Sequence, residues 1–209
     1  MRVRIKYCGI TNLDDSLAAI ALGVDALGFV FHPPSPRYVE PVLAATIIDA
    51  LPPLVSKVGL FVNRSAREVR ETVAMTGIDL VQYHGDESPA DCAAAPCAWI
   101  KAVRVRADTD FAACARDFAA ASALLLDTWD DQVYGGSGRT FDWSLLPHAV
   151  GRPLILAGGL TPDNVAAAIR RVRPYAVDVS GGIEASRGRK DREKMHRFIT
   201  EVREVERET

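Results

Sequence analysis

The sequence has no hydrophobic stretch of the roughly 18–20 residues that a membrane span requires. Its longest apolar run, Phe118 to Leu126, lies between Asp117 and Asp127 and is interrupted by Ser122. The first residues, Met1 to Cys8, lack the apolar centre and cleavage site of a secretory signal, so a cytoplasmic location is expected. Cysteine is scarce. Cys8, Cys92, Cys97 and Cys114 include no C-x-x-C pair, which excludes a zinc ribbon and a thioredoxin motif. In a reducing compartment disulfides are not expected, and buried filler is the ordinary use of each thiol. An excess of charge is missing as well: 25 Lys and Arg stand against 27 Asp and Glu, a net charge of −2. No global positive field is available for nucleic acid or anionic lipid, and neither is expected as a partner. With 15 Gly and 12 Pro in 209 residues, 48% apolar and 25% charged, collagen-like and generally disordered classes are excluded.

What is present is alternation. Short β-branched apolar runs are separated by longer amphipathic stretches from end to end. The runs are Val3–Tyr7, Ala26–Phe31, Lys57–Val62, Leu80–Tyr83, Ala98–Val103, Ala123–Leu126, Leu154–Ala157 and Ala176–Val179. Helix signals fall between them. Asn12 or Asp14 caps a first helix with Leu17, Ile20 and Ala21 on one face, ended by Gly23. Another helix follows near Val42 to Ala50. Ser65-Ala-Arg-Glu68 reads as a capping box for a helix through Met75, and a further helix covers Ser88 to Ala95. Others lie near Phe111 to Ala119 and briefly around Trp143 to Leu146. Thr161-Pro162 reads as an N-cap with proline at the first helical position. The last helix starts near Asp191 and gives way to a charged tail, about 201–209. Continuous apolar strands joined by helical crossovers predict a parallel α/β sheet covered on both faces. Eight units predict a single-domain (β/α)8 TIM barrel over residues 1–209, with no room for a second domain; an open doubly wound sheet is the alternative.

In such a barrel, chemistry sits at the C-terminal ends of the strands. The residues there are Cys8, His32, Asn63, His84, Arg104, Asp127, Gly158-Gly159 and Ser180-Gly181-Gly182. Glycine pairs after the seventh and eighth strands suit a phosphate, because backbone N–H groups can approach the anion where no side chain intervenes; two ordinary tight turns are the alternative. The expected partner is a small phosphate ester. Cys8 and Asp127 end strands on opposite sides of the mouth and read either as an acid–base pair or as packing and a loop cap. Acid work requires a raised Asp pKa, and base work some thiolate. Arg37, between stiff prolines and Tyr38, reads as a fork for a carboxylate or as an exposed arginine. His84 has no second metal ligand at useful spacing, so no metal is expected. His148 and His196 read as surface helix residues, and Arg170-Arg171-x-Arg173 and Arg187-Gly-Arg189-Lys190 as solvated faces.

These motifs occur in a familiar order. Lys6-Tyr-Cys-Gly-Ile-Thr11, Gly28-Phe-Val-Phe31 with Ser35-Pro-Arg37, and Lys57-Val-Gly-Leu-Phe-Val-Asn63 come first. Val81-Gln-Tyr-His-Gly-Asp-Glu87 follows, then Asp127 with Gly135-Gly-Ser-Gly138 and Phe141-Asp-Trp143. Leu156-Ala-Gly-Gly-Leu160 with Pro162-x-Asn164, and Asp178-Val-Ser-Gly-Gly-Ile-Glu184 with Gly188-x-Lys190-Asp191, complete the set. From about residue 3 to residue 200 the sequence strongly resembles the phosphoribosylanthranilate isomerase family of tryptophan biosynthesis. The resemblance implies a TIM barrel performing an Amadori rearrangement of a phosphosugar without metal or cofactor. Cys8 is then the general base and Asp127 the general acid. Arg37 holds the anthranilate carboxylate, and the backbone at Gly158, Gly159, Ser180, Gly181 and Gly182 holds the phosphate. His84 counts among the substrate-binding residues. Tyr7, Tyr83 and Gly181 depart from the family pattern, the two tyrosines in ways that bear on the shape of core or pocket. A monomer or homodimer is compatible with all of this. Two other readings are a histidine-pathway phosphosugar isomerase, disfavoured because Cys8 replaces its aspartate and no internal repeat is seen, and a catalytically idle binding barrel.

Overall fold

The computed structural model describes residues 2–106, 108–128, 143, 146 and 151–208. The glycine-rich stretch 129–139, the pair Phe141-Asp142 and His148 lie outside the described residues, as do residues 144 and 145 of the brief helix expected from Trp143 to Leu146. Eight parallel strands run in chain order: β1 (Arg4–Cys8), β2 (Ala26–Val30), β3 (Ser56–Phe61), β4 (Leu80–Tyr83), β5 (Ala98–Val105), β6 (Ala123–Thr128), β7 (Leu154–Leu156) and β8 (Ala176–Val179). Each pairs with the next, and β8 returns to β1, so the sheet closes on itself. The open doubly wound alternative is thereby excluded. Around the barrel stand α1 (Leu13–Leu22), α2 (Pro41–Asp49), α3 (Ala66–Thr76), α4 (Pro89–Ala93), α5 (Phe111–Asp117), α6 (Val165–Val172) and α7 (Arg192–Glu208). No helix among the described residues is long and apolar enough to cross a membrane.

Alternation along each strand divides the core. One side chain in two faces the helices, where Ile5, Tyr7, Leu27, Phe29, Leu124 and Leu126 join the large cluster that also takes Phe198 and Val202 of α7. The others face the barrel interior. Ile100, Ala102, Leu125, Ile155 and Ala176 fill its lower part, and Cys8, Val30, Leu60 and Val62 form a separate upper cluster. Both unusual tyrosines point outward, away from the mouth. Tyr7 Oη donates to the Met195 carbonyl at 2.6 Å and meets Phe198 edge-on, while Tyr83 meets Trp99 edge-on.

Local chemistry sets the helix starts. The Ser65 side chain accepts from the Glu68 amide and Glu68 answers at the Ser65 amide, forming the expected box; Ser88 and Asp91 form a second. Asn12 caps α1 and Gly23 ends it with φ 89°. The buried face of α1 differs from expectation: Leu17 is 43% exposed, and Asp15, Ser16 and Ala19 are buried. Small residues allow the helix to lie close, and Asp15 is buried because its carboxylate accepts from the Lys190 amide at 2.9 Å. Helix α6 starts at Val165, three residues later than Thr161-Pro162 suggested. Asn164 instead ties the preceding turn together, accepting from Thr161 N at 2.8 Å and donating to Gly159 O at 3.0 Å. The charged stretch 201–208 is helical: it forms the last turns of α7, with Val202 and Val205 buried and Glu201, Arg203 and Glu204 toward solvent or half-buried.

Between β8 and α7 the chain makes a single 3-10 turn, Gly181–Ile183, and a small antiparallel hairpin of β9 (Glu184–Ser186) and β10 (Arg189–Lys190). This hairpin has no counterpart in the sequence reading. It turns Lys190 inward, so that residue is buried, whereas Arg187 and Arg189 beside it are exposed. Lys190 therefore does not belong to a solvated basic face.

Candidate active site

A cleft of about 290 Å3 opens at the C-terminal ends of the strands. Cys8, Arg37, His84, Asp127, Gly158, Gly159, Ser180, Gly181 and Gly182 all line it. Two of the strand-end residues read from the sequence, Asn63 and Arg104, do not line it: Asn63 Oδ1 accepts from the Asp86 amide, and Arg104 pairs with the Asp86 carboxylate. His32, also at the mouth, is held below the usual histidine range by burial, Arg64 and His84.

Two glycine-bearing loops form one wall. Gly158 and Gly159 adopt φ 85° and 63°, a region in which side chains are strained. A Cβ on Gly182 would lie 1.9 Å from the Leu160 carbonyl oxygen, so the second loop packs directly on the backbone of the first. Ser180 Oγ is buried there without a hydrogen-bond partner among the described residues. The Asn164 side chain fixes the first loop from behind through Gly159 and Thr161.

Opposite stands the carboxylate of Asp127, 5% exposed, at the end of β6. Its Oδ2 lies 3.1 Å from His84 Nε2, and His84 Nδ1 lies 2.8 Å from Gln82 Nε2. With the Gln82 amide donating to Nδ1, the imidazole keeps its proton on Nε2 and donates it to Asp127. Gln82 and His84 are two apart on β4 and its extension, hence on one face. That spacing was the available signal for Gln82, which the sequence reading passed over.

Arg37 is buried rather than exposed, and its fork is engaged. Nε and Nη2 donate to the two oxygens of Glu184, each at 2.8 Å. Glu184 also accepts from Lys190 Nζ at 3.0 Å, and Lys190 donates further to the carbonyls of Cys8 (2.6 Å) and Ser180 (3.2 Å). Burial would raise the Glu184 pKa, but the hydrogen bonds from Arg37 and the Lys190 charge outweigh it and hold the carboxyl below its ordinary range. Glu184 and Lys190 stood in the quoted motifs without a role, since only the hairpin brings them under Arg37.

Cys8 ends β1 with its side chain in the interior, beside Gly28 of β2 in register. Two residues back on the same face, Lys6 Nζ donates to Asp178 Oδ1 at 2.9 Å, with both side chains buried. Burial pushes the Cys8 thiol up; the Lys6 ammonium pulls it down, Asp178 adds to the rise, and Lys190 opposes it. Among the described residues no three His, Cys, Asp or Glu are grouped so as to hold a metal ion.

The chain was compared with known proteins. A family model described as N-(5'phosphoribosyl)anthranilate (PRA) isomerase matches residues 5–201. An N-(5'-phosphoribosyl)anthranilate isomerase of Thiobacillus denitrificans is 54% identical over 203 residues, covering 97% of this chain and 99% of the relative. The phosphoribosyl anthranilate isomerase structure from Thermotoga maritima superposes with TM-score 0.90 at 42% identity, covering 97% and 99% of the two chains. Another structure of such an isomerase, in complex with reduced 1-(o-carboxyphenylamino)-1-deoxyribulose 5-phosphate, superposes with TM-score 0.87 at 40% identity over 97% and 99%.

Proposed function

The chain belongs to the N-(5'-phosphoribosyl)anthranilate isomerase family, and from that premise we propose how its own residues perform the reaction. The enzyme converts N-(5'-phosphoribosyl)anthranilate to 1-(2-carboxyphenylamino)-1-deoxyribulose 5-phosphate by an acid–base Amadori rearrangement, in tryptophan biosynthesis. We assign the acid to Asp127 and the base to Cys8. As the C1'–O4' bond breaks, the aniline nitrogen's lone pair forms the C=N bond and the Asp127 proton goes to the ring oxygen. The iminium so formed makes the C2' proton acidic. Cys8 thiolate takes that proton, the C2'–H electron pair becomes the C1'=C2' bond of an enolamine, and the C=N π pair returns to nitrogen. Transfer of the enol proton's equivalent to C1' gives the ketone.

Substrate placement follows from the two walls of the cleft. The phosphate belongs against the backbone of Gly158, Gly159, Ser180, Gly181 and Gly182, a reading supported by the positive φ angles, the Gly182 close approach and the unpartnered Ser180 hydroxyl. The anthranilate carboxylate belongs to the guanidinium of Arg37, whose donors not engaged by Glu184 remain for it. His84 orients Asp127 and borders the sugar. Holding both ends fixes the ribose between acid and base. The observation that carries this assignment is the convergence of Cys8 and Asp127 on a single cleft lined by both glycine loops. The work is done in a single domain, as monomer or homodimer, in the cytoplasm.

Loss of phosphoribosylanthranilate fluorescence with purified, reduced protein tests the reading. Cys8→Ser and Asp127→Asn should each lower kcat by about 10²–10⁴ with an unchanged circular dichroism spectrum. Wild-type kcat in either variant removes that residue from its role.

A further inference from the structure

Three ionisable groups meet beneath the mouth in an arrangement that the reaction scheme above leaves unused. Lys6 and Asp178 are cross-strand partners in the β1–β8 register, both point inward, and their side chains are 6% and 7% exposed. A buried ion pair is costly to desolvate and is weak evidence for a stabilising role. The position of this one is informative. A Cβ built on Gly28 would lie 2.8 Å from Cys8 Sγ and 3.1 Å from Lys6 Nζ, so sulfur and ammonium flank one point that only glycine leaves open. Asp178 lines the cleft together with Cys8.

We propose that Lys6, anchored by Asp178, is a positioning residue that keeps a cation against Cys8 Sγ and so maintains a population of thiolate for proton abstraction. The proposal rests on Cys8 being the base. Among the described residues, the charged groups that act on the thiol are Lys6 from β1, Asp178 from β8, Lys190 from the hairpin and Arg37 from the loop after β2. Lys190 and Arg37 share Glu184, which accepts from both, so their charge is largely spent there. Lys6 has a carboxylate partner too, but its burial on the interior face directly below Cys8 makes it the cation with the largest effect on the sulfur. Burial pulls the Lys6 ammonium down, but Asp178, with Cys8, holds it above its ordinary range. In a low-dielectric interior a cation at this range acts far more strongly than it would in water.

The experiment compares the wild type with Lys6→Met, Asp178→Asn and the double variant Lys6→Met/Asp178→Asn. The double variant removes both buried charges, so it tests the proposal even if Lys6→Met alone fails to fold around an unpaired carboxylate. Two readouts are taken: the ultraviolet titration of the Cys8 thiolate, as the difference from the same protein carrying Cys8→Ser, and kcat/KM as a function of pH. Lys6→Met should titrate Cys8 at a proton concentration about tenfold or more lower than wild type, and the double variant, which has also lost the carboxylate that raises the thiol, about tenfold lower than Asp178→Asn. Their kcat/KM should fall by a similar factor at neutral pH and recover as pH rises. Asp178→Asn, which keeps the ammonium, should show no upward displacement of the thiol titration. An unchanged Cys8 titration without Lys6 overturns the proposal, as does a loss of rate equal at every pH, which marks a packing role. If Cys8→Ser retains full activity, the base assignment fails instead, and the thiol titration still decides whether Lys6 acts on the sulfur.

Discussion

Arg37 shows how much of a binding residue's usefulness is set by a neighbour. Its guanidinium is a free rotor until Glu184 takes Nε and Nη2 in parallel, after which the remaining donors point in one direction. Replacing Glu184 with Gln should therefore raise KM by about tenfold with a smaller change in kcat, the pattern for lost ground-state and transition-state binding alike. The same substitution leaves Lys190 buried without its carboxylate, and an uncompensated buried charge costs about 3–5 kcal/mol. Steady-state kinetics and a denaturation curve on one preparation separate the two effects. The pH dependence has a definite sign. Glu184 is held below its unfolded pKa, so its contribution is complete above the ordinary glutamate range and is lost as pH falls through the lower folded value. The sequence made Arg37, Cys8 and Asp127 legible because each follows a recognisable strand or sits in a distinctive motif. Glu184 and Asp178 were not assigned roles, and Lys190 was placed on a solvated face, because what they touch is fixed by a short hairpin and by strand closure, and neither leaves a periodic trace.

At the scale of elements, the strands were read almost to the residue, since short apolar β-branched runs alternating with amphipathic stretches fit little else. Helix faces were less legible. In α1 the close approach is made by Ser16 and Ala19, which a count of large apolar residues overlooks. In α7 the charges of 201–208 hid two buried valines at helical spacing. Those valines give a prediction. A chain ending at Thr200 loses Val202 and Val205, both fully packed, at about 1.5–3 kcal/mol each for the burial forgone. Its thermal midpoint should fall by roughly 6–24 °C, given about 2–4 °C per kcal/mol for a domain of this size. A midpoint within 2 °C (roughly the smallest shift expected per kcal/mol) of the parent would show that the last turns are dispensable.

Over the whole molecule, the net charge of −2 conceals local anion binding. Backbone dipoles from the loops after β7 and β8 carry no formal charge, and the cations at the cleft are matched by Glu184 and Asp178. Inorganic phosphate should then bind the folded protein alone, stabilise it by about 2.7 kcal/mol at a hundredfold excess over Kd, and so raise the thermal midpoint with concentration. Gly182→Ala, which drives a Cβ into the Leu160 carbonyl, should abolish the concentration dependence. A phosphate response equal in both proteins would place the anion elsewhere.

The pairing of β8 with β1 also governs when the enzyme comes into being. Cys8 leaves the ribosome 172 residues ahead of Ser180, as 180 − 8 gives. At about 5–20 residues per second the first strand waits roughly ten to thirty seconds for its partner. Until β8 arrives, β1 and β7 both present unpaired edges, the kind of surface that recruits other strands. The nascent chain is thus inactive and exposed together, and one event of closure ends both conditions. Lys6 and Asp178, lodged at that seam, can neutralise each other only when it shuts. Their meeting is a molecular signature of barrel closure.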